Sequence, residues 1–347
     1  MNKILRVFCA LLLLLSWATA CRRNEPPTPA TTDPQTNLRE LWRILDEGYC
    51  FFPERFPQEG DWAAVYDRYA AQLTPRMTED ELFDLMASLV NELQDGHVNL
   101  YSPFDVSNYW QWSSEEEPTL NTSLRNRYLG SYRRAGGLYY APIQYNNHAQ
   151  DSVGLIVCPS FSASITLANW SAVFNRLDSC RALIIDIRDN GGGYVSNAST
   201  MASCFLSQTT TVAYLSAKTG PGHHHFGPLD PIVVDPAPAA ARWAKPVALL
   251  TNRGVYSAAN SVAAYLQTAP NVVQIGTTTG GGGGLPSSYE LPNGWWLRFS
   301  ASRTYNAQKE LIEWGVEPDI RQTQTPEATQ AQEDALIERA IEYLVSQ

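Results

Sequence analysis

Lysine is scarce in this chain of 347 residues: Lys3, Lys218, Lys245 and Lys309 are all there is. Positive charge as a whole is in deficit, with 25 Lys and Arg against 35 Asp and Glu and a formal net charge of −10. A protein that grips nucleic acid through its phosphates needs the opposite balance, so that class is excluded. No long block of like charge is present, and no C-x-x-C pair or other Cys/His spacing would hold a metal. No apolar run reaches the ~20 residues of a membrane-spanning helix. No internal repeat is present. What remains is a composition of 44% hydrophobic and 17% charged residues, ordinary for a globular chain that can bury one large core and a smaller one.

The first 36 residues stand apart. Lys3 and Arg6 precede the apolar run Val7–Leu15, and the small residues Ala18, Thr19 and Ala20 lead to Cys21. A charged start, a short apolar stretch and small residues before a cut predict a secretory signal peptide over 1–20. The cysteine that follows resembles a bacterial lipobox, which implies a lipid anchor on Cys21; the alternative is a plain signal with an incidental cysteine. Arg22 follows, where a retention aspartate would favour the inner membrane, so the resemblance implies the outer membrane, the periplasm or the cell surface. Pro and Thr dominate residues 22–36, and 21–36 reads as the lipidated cysteine with a flexible tether. Cys50, Cys158, Cys180 and Cys204 remain in the mature chain; two disulfides and buried free thiols are both open readings.

Three further regions follow. Residues 37–97 predict a small helical domain: Leu38, Leu41, Trp42 and Leu45 share one helical face, and Thr78 with Glu81 forms a capping-box signature. Residues 98–150 read as a β-rich connecting segment. Residues 151–347 alternate strand-like and helix-like runs (GLIVCPSF, ALIIDIR, PVALLTN, SAANSVAAYL, VVQIG), which argues for an α/β core. The stretch 219–241 reads as a Pro-rich loop, and Gly280–Gly284 as another loop.

Three features carry chemistry. Ser257 follows a buried strand and opens a helix, where free N–H groups and the positive end of the helix dipole favour a developing oxyanion, although Ser is also an ordinary cap there. The run DIRDNGGG, Asp186–Gly193, takes a buried strand into a glycine turn able to expose N–H groups, and lacks the Lys-Ser/Thr of a phosphate loop. His97 ends a helix in LQDGHVNL. His148 and the adjacent His223, His224 and His225 make no coherent metal site. The aromatic-rich stretch 101–140 and Trp295-Trp296 read as core packing, with a ligand groove as the alternative.

Together the stretches LDEGYCFF, LQDGHVNL, GLIVCPSF, ALIIDIRDNGGG, VYSAANSVAAYL, IGTTTGGGGG and IEWGVEPDI resemble the tail-specific (C-terminal processing) peptidase family, in particular its tricorn-core-like branch, in order over residues 40–320. The resemblance implies a crotonase- or ClpP-like spiral of ββα units preceded by a small helical domain. It implies Ser257 as nucleophile, the N–H groups of Ala258 and of Gly191 or Gly192 as the oxyanion hole, His97 as base, and Glu313 as the carboxylate orienting it, with Glu310 and Glu317 as alternatives. Gly282 stands where the dyad branch has its lysine, and none of the four lysines takes that place. Asn260 stands where an acidic residue is common, and Gly96 where the tricorn-like pattern has a hydroxyl residue. Residues 98–150 are too few for a complete PDZ module. The implied function is a serine peptidase acting on exported or surface peptides through an acyl-enzyme, with peptide or protein as substrate and no metal or cofactor. An ester hydrolase, or a non-catalytic binding protein on the same fold, is the alternative.

Overall fold

A computed structural model describes residues 29–347, apart from residues 59, 114–118, 146–147 and 149–151. Residues 1–20, read above as a signal peptide, and Cys21 lie outside the described residues. The first helix, α1 (Pro34–Gly48), begins inside the stretch read as tether: Asp33 caps it through Thr36 N–H, and Pro34 has no N–H to leave unpaired there. Leu38, Leu41, Ile44 and Leu45 form its buried face. Helices α2 (Phe52–Arg55), α3 (Asp61–Ala70) and α4 (Glu79–Asn91) follow. The capping box of α4 is formed, with Thr78 N–H on Glu81 and Glu81 N–H on the Thr78 hydroxyl.

These helices do not close a core of their own. Their apolar faces pack with Leu291, Trp295, Leu297 and Phe299, so the helical unit shares a hydrophobic cluster with a strand far along the chain. A side chain at Gly48 would meet the Phe299 ring at 2.6 Å, which shows how closely α1 rides on that strand.

Residues 98–150 hold strand β1 (Asn99–Tyr101), a 3₁₀ turn at Gln111–Ser113, helix α5 (Thr122–Leu129) and strands β2 (Arg133–Ala135) and β3 (Leu138–Pro142). The segment is therefore mixed, with α5 capped by Asn121, and not β-rich throughout. Then come β4 (Val153–Val157), α6 (Leu167–Leu177), β5 (Ala182–Asp186), α7 (Ser196–Ser203), β6 (Thr210–Ala217), β7 (Asp230–Val234), β8 (Val247–Thr251), α8 (Ala258–Leu266), β9 (Val272–Gly276), β10 (Gly284–Glu290), β11 (Trp296–Asn306), β12 (Ile320–Arg321), α9 (Pro326–Gln330) and α10 (Ala335–Val345).

Two sheets result. The larger has seven strands in the order β12-β9-β8-β5-β4-β3-β2, parallel from β12 to β4 and antiparallel beyond. Its central strands are buried on both faces and are continuously apolar for that reason. Alternate residues serve opposite sides: Ile156, Ile185 and Leu249 face α6, α7 and α8, whereas Leu155, Ile184 and Ala248 face α5 and α10. The smaller sheet is antiparallel, β1-β11-β6-β7 with β10 on the other side of β11. Strand β7 lies within the stretch read as loop. Its Pro231 removes a ladder donor, which an edge strand tolerates. Cys50, Cys158, Cys180 and Cys204 are buried free thiols.

Candidate active site

Ser257 sits on the turn from β8 into α8 with φ 57° and ψ −121°. An L-residue pays about 1–3 kcal/mol to adopt a conformation this far from its ordinary minima, and holds it only where neighbours over-determine it. Here they do. Tyr256 N–H donates to Asn190 O at 3.0 Å and Ser257 N–H to Gly281 O at 2.9 Å, while Ser261 N–H closes the helix on Ser257 O. The serine hydroxyl does not cap the helix. It is half-buried.

The glycine turn packs directly on this elbow. A Cβ at Gly192, where φ is 97°, would lie 2.8 Å from Ser257 Cβ and 2.9 Å from the Ala258 nitrogen. Ala258 is the first residue of α8, so its N–H has no intrahelical partner. Gly191 N–H makes no hydrogen bond among the described residues, and a side chain there would meet open space. Gly192 differs from expectation: its N–H is donated to the Asn190 side chain at 2.9 Å. Its missing side chain allows the close approach, and the N–H groups beside Ser257 that make no hydrogen bond among the described residues are those of Ala258 and Gly191.

His97 lies in the turn after α4 and is 3% exposed. Its backbone N–H donates to Asp95 Oδ1 at 2.7 Å, a local Asx turn that fixes the residue. The imidazole faces the Tyr256 ring, with centroids 4.9 Å apart. The structure thus sets His97 against the residue preceding Ser257. Nδ1 has no partner, and no hydrogen bond joins the imidazole to the Ser257 hydroxyl. Burial pushes the His97 pKa down from 6.5 to about 4; Asp95 opposes this and Arg298 adds to it. The imidazole is neutral at pH 7 and free to take a proton.

The orienting contact expected from Glu313 is absent. Glu313 Oε1 accepts from Arg55 at 2.9 Å, and Oε2 is buried without a partner. Burial, then the neighbouring Asp95, hold its pKa well above the usual carboxylate range, against the pull of Arg55. Glu310 is tied to Asn306 and Glu317 to Thr278, so neither alternative reaches His97. Arg55, on α2, reaches Gln94 O at 3.0 Å beside the histidine turn and lies over the Trp314 ring. No sequence pattern marked this residue, because its partner is 258 residues away.

Three departures from the family pattern acquire physical reasons. Gly282 has φ 74°, and a side chain there would meet the Tyr256 ring at 2.5 Å, so the place of the dyad lysine is filled by an aromatic ring. A Cβ at Gly96 would lie 2.5 Å from Trp112 Nε1 and 3.0 Å from the Tyr256 hydroxyl, so those groups fill the space of a hydroxyl side chain. Asn260 donates to Ile312 O at 2.9 Å and accepts from the Thr279 hydroxyl at 2.5 Å; a carboxylate could not do both. Trp112 completes the surroundings by stacking on Tyr256 at 3.9 Å. The histidine triplet lies elsewhere: His223 stacks on Phe52 and bonds Asp46.

The chain is similar to known proteins. The model of "Peptidase family S41" matches residues 152–322, and that of the "Tricorn protease C1 domain" matches residues 30–91. The carboxy-terminal processing protease CtpA of Bacillus subtilis is 27% identical over 180 residues, which cover 51% of this chain and 36% of that protein. The chain thus spans little more than a third of the length of that curated relative. The crystal structure of a candidate peptidase from Parabacteroides merdae superposes with a TM-score of 0.82 at 39% identity, covering 90% of this chain and 97% of that one. The tricorn protease shares the fold at a TM-score of 0.55 and 13% identity, over 90% of this chain and 36% of its own. A strained serine on a helix N-terminus, a glycine turn packed on it and a buried neutral histidine beside it agree with these matches, and the chain belongs to peptidase family S41.

Proposed function

We propose that the protein is a serine peptidase in which Ser257 is the nucleophile and His97 the base. The observation that carries this reading is the strained Ser257 elbow pressed against the Asn190–Gly193 turn, with the Ala258 and Gly191 N–H groups left unbonded beside it. His97 takes the hydroxyl proton as Ser257 Oγ attacks the scissile carbonyl. The oxyanion is received by the two N–H groups, each lowering the barrier by about 3–4 kcal/mol. His97 returns the proton to the leaving amine, and water then cleaves the ester by the same route in reverse. The imidazole and the hydroxyl are not bonded in the free protein, and substrate binding draws them together, as catalytic contacts commonly tighten on complex formation.

The proposed setting is outside the cytoplasm, with the chain exported by residues 1–20 and anchored by a lipid on Cys21 to the outer membrane or cell surface. Among the described residues no helix is long and apolar enough to cross a membrane. The substrate would be a peptide or protein reaching that compartment.

The test is covalent labelling of the detergent-solubilised full-length protein by a fluorescent fluorophosphonate. Wild type should label, Ser257→Ala should not, and His97→Gln should label at least ~10²-fold more slowly. A wild type that is folded by circular dichroism yet does not label would overturn the reading in favour of a binding protein on the same fold.

A further inference from the structure

Asp95 has no role in the chemistry described so far, yet it is the most connected group around the site. It is 2% exposed. Four donors from four parts of the chain converge on its carboxylate: His97 N–H at 2.7 Å, Tyr49 OH at 3.0 Å, Ser300 Oγ at 3.2 Å and Tyr256 OH at 3.4 Å. Tyr49 follows α1, Ser300 lies in the middle of β11, and Tyr256 precedes the nucleophile. One carboxylate therefore ties the histidine turn to the serine elbow and both to the helical unit.

A base that takes a proton in a buried site becomes an uncompensated cation unless an anion is at hand. Glu313 is ill suited to supply it, since it is bonded to Arg55 and its own burial beside Asp95 favours its protonated form. We infer that Asp95 is the positioning residue that compensates the His97 imidazolium, acting through the His97 main chain and through the Tyr256 ring that bears on the imidazole. This rests on the assignment of Ser257 and His97 as nucleophile and base. The groups facing Asp95 are Tyr49, Cys50, Arg55, Tyr256 and Glu313, and those facing His97 are Asp95, Tyr256 and Arg298. Arg55 is already engaged by Glu313, Gln94 O and the Trp314 ring, and Arg298 by Asn99, so Asp95 is the acidic group left to serve the imidazole.

The test uses full-length protein carrying ¹⁵N-histidine, wild type and Asp95→Asn, phosphonylated on Ser257 by the fluorophosphonate. The titration of His97 is followed by NMR and assigned by its absence from His97→Gln. The wild-type imidazolium should titrate about one unit or more above that of Asp95→Asn, because loss of an adjacent opposite charge disfavours the protonated form. Labelling of Asp95→Asn should be slower by roughly the same factor of ten. Equal titration midpoints, whatever the labelling rates, would leave Asp95 a structural group and overturn this inference alone. No adduct on folded wild type removes the base assignment and this inference with it. If Asp95→Asn does not fold, Tyr49→Phe carries the test: it keeps the charge, removes one donor, and should raise the His97 midpoint by about 0.3 unit, an unchanged midpoint again counting against the inference.

Discussion

Burial keeps the His97 imidazole of the free protein neutral at pH 7. In the unfolded chain its imidazole titrates near 6.5, and burial brings this down to about 4 in the folded protein. Below the unfolded value the unfolded chain binds a proton that the folded protein refuses, so stability is lost as pH falls from 6.5 to about 4. The full loss is about 3 kcal/mol. Urea unfolding at neutral pH and again at about pH 4 should show wild type losing roughly that much more than His97→Gln. At this scale the sequence marks the residues proposed to react and is silent about those that surround them. Ser257, His97 and the glycine turn lie in short motifs whose local geometry follows from strand, turn and helix rules. Glu313 could be given a partner only by resemblance, and its actual partner, Arg55, lies on a helix at the other end of the chain. The convergence on Asp95 joins residues 46 and 205 positions apart, which no local pattern encodes.

Among the elements, the described residues between β1 and α5 are tied to the rest of the fold at two places. Asn99 Nδ2 donates to Ser107 O and Leu100 N–H to Ser107 Oγ, and Arg188 Nη1 donates to Thr119 O at 2.6 Å. Between these points Trp112 lies against Tyr256, over Gly96 and Gly280. A side chain at Gly280 would meet the indole at 2.9 Å, so glycine on both sides makes room for it. Trp112→Ala should cost about 1–3 kcal/mol in lost stacking and burial. It should also admit water to His97 and move the acid limb of labelling to higher pH, because relief of desolvation favours the charged imidazole. That displacement is opposite in sign to the one expected for Asp95→Asn, and a pH profile of labelling rate reads both. Most helices and strands were legible, through the capping-box signature at Thr78 and through continuous apolar runs. Strand β7 was not, because Pro231 and four solvent-accessible positions out of its five carry no buried-strand signature. Strand β10 begins at the end of a glycine run and alternates weakly, so its pairing with β11 shows only in three dimensions.

At the scale of the molecule, the residues proposed to react come from the end of the helical unit and from the turns that follow strands of the large sheet, and buried charges tie these parts together. Arg188 is the most deeply placed of these. Its guanidinium bonds Asp186 on one side and Asp334 on the other, with Nη2 at 2.7 Å and 2.8 Å from the two carboxylates. Asp334 also caps α10 through Leu336 and Ile337 N–H. Removing one partner of a buried ion pair is costly, and Asp334→Asn should destabilise the protein by about 3 kcal/mol in urea unfolding while slowing fluorophosphonate labelling, since Arg188 opens the turn proposed to receive the oxyanion. The α/β class and the helical preface were readable from alternation and periodicity. The shared core between α1–α4 and β11 was not, because an amphipathic face declares that it will be covered and not by what.

The Arg188–Asp334 clamp also sets an order in time. Asp334 lies 146 residues after Arg188. A chain emerging from the ribosome, or threading a translocation channel N-terminus first, presents its serine, histidine and glycine turn well before the carboxylate that locks the turn. In the proposed exported peptidase, the centre would stay incomplete until Asp334 and α10 reach the fold.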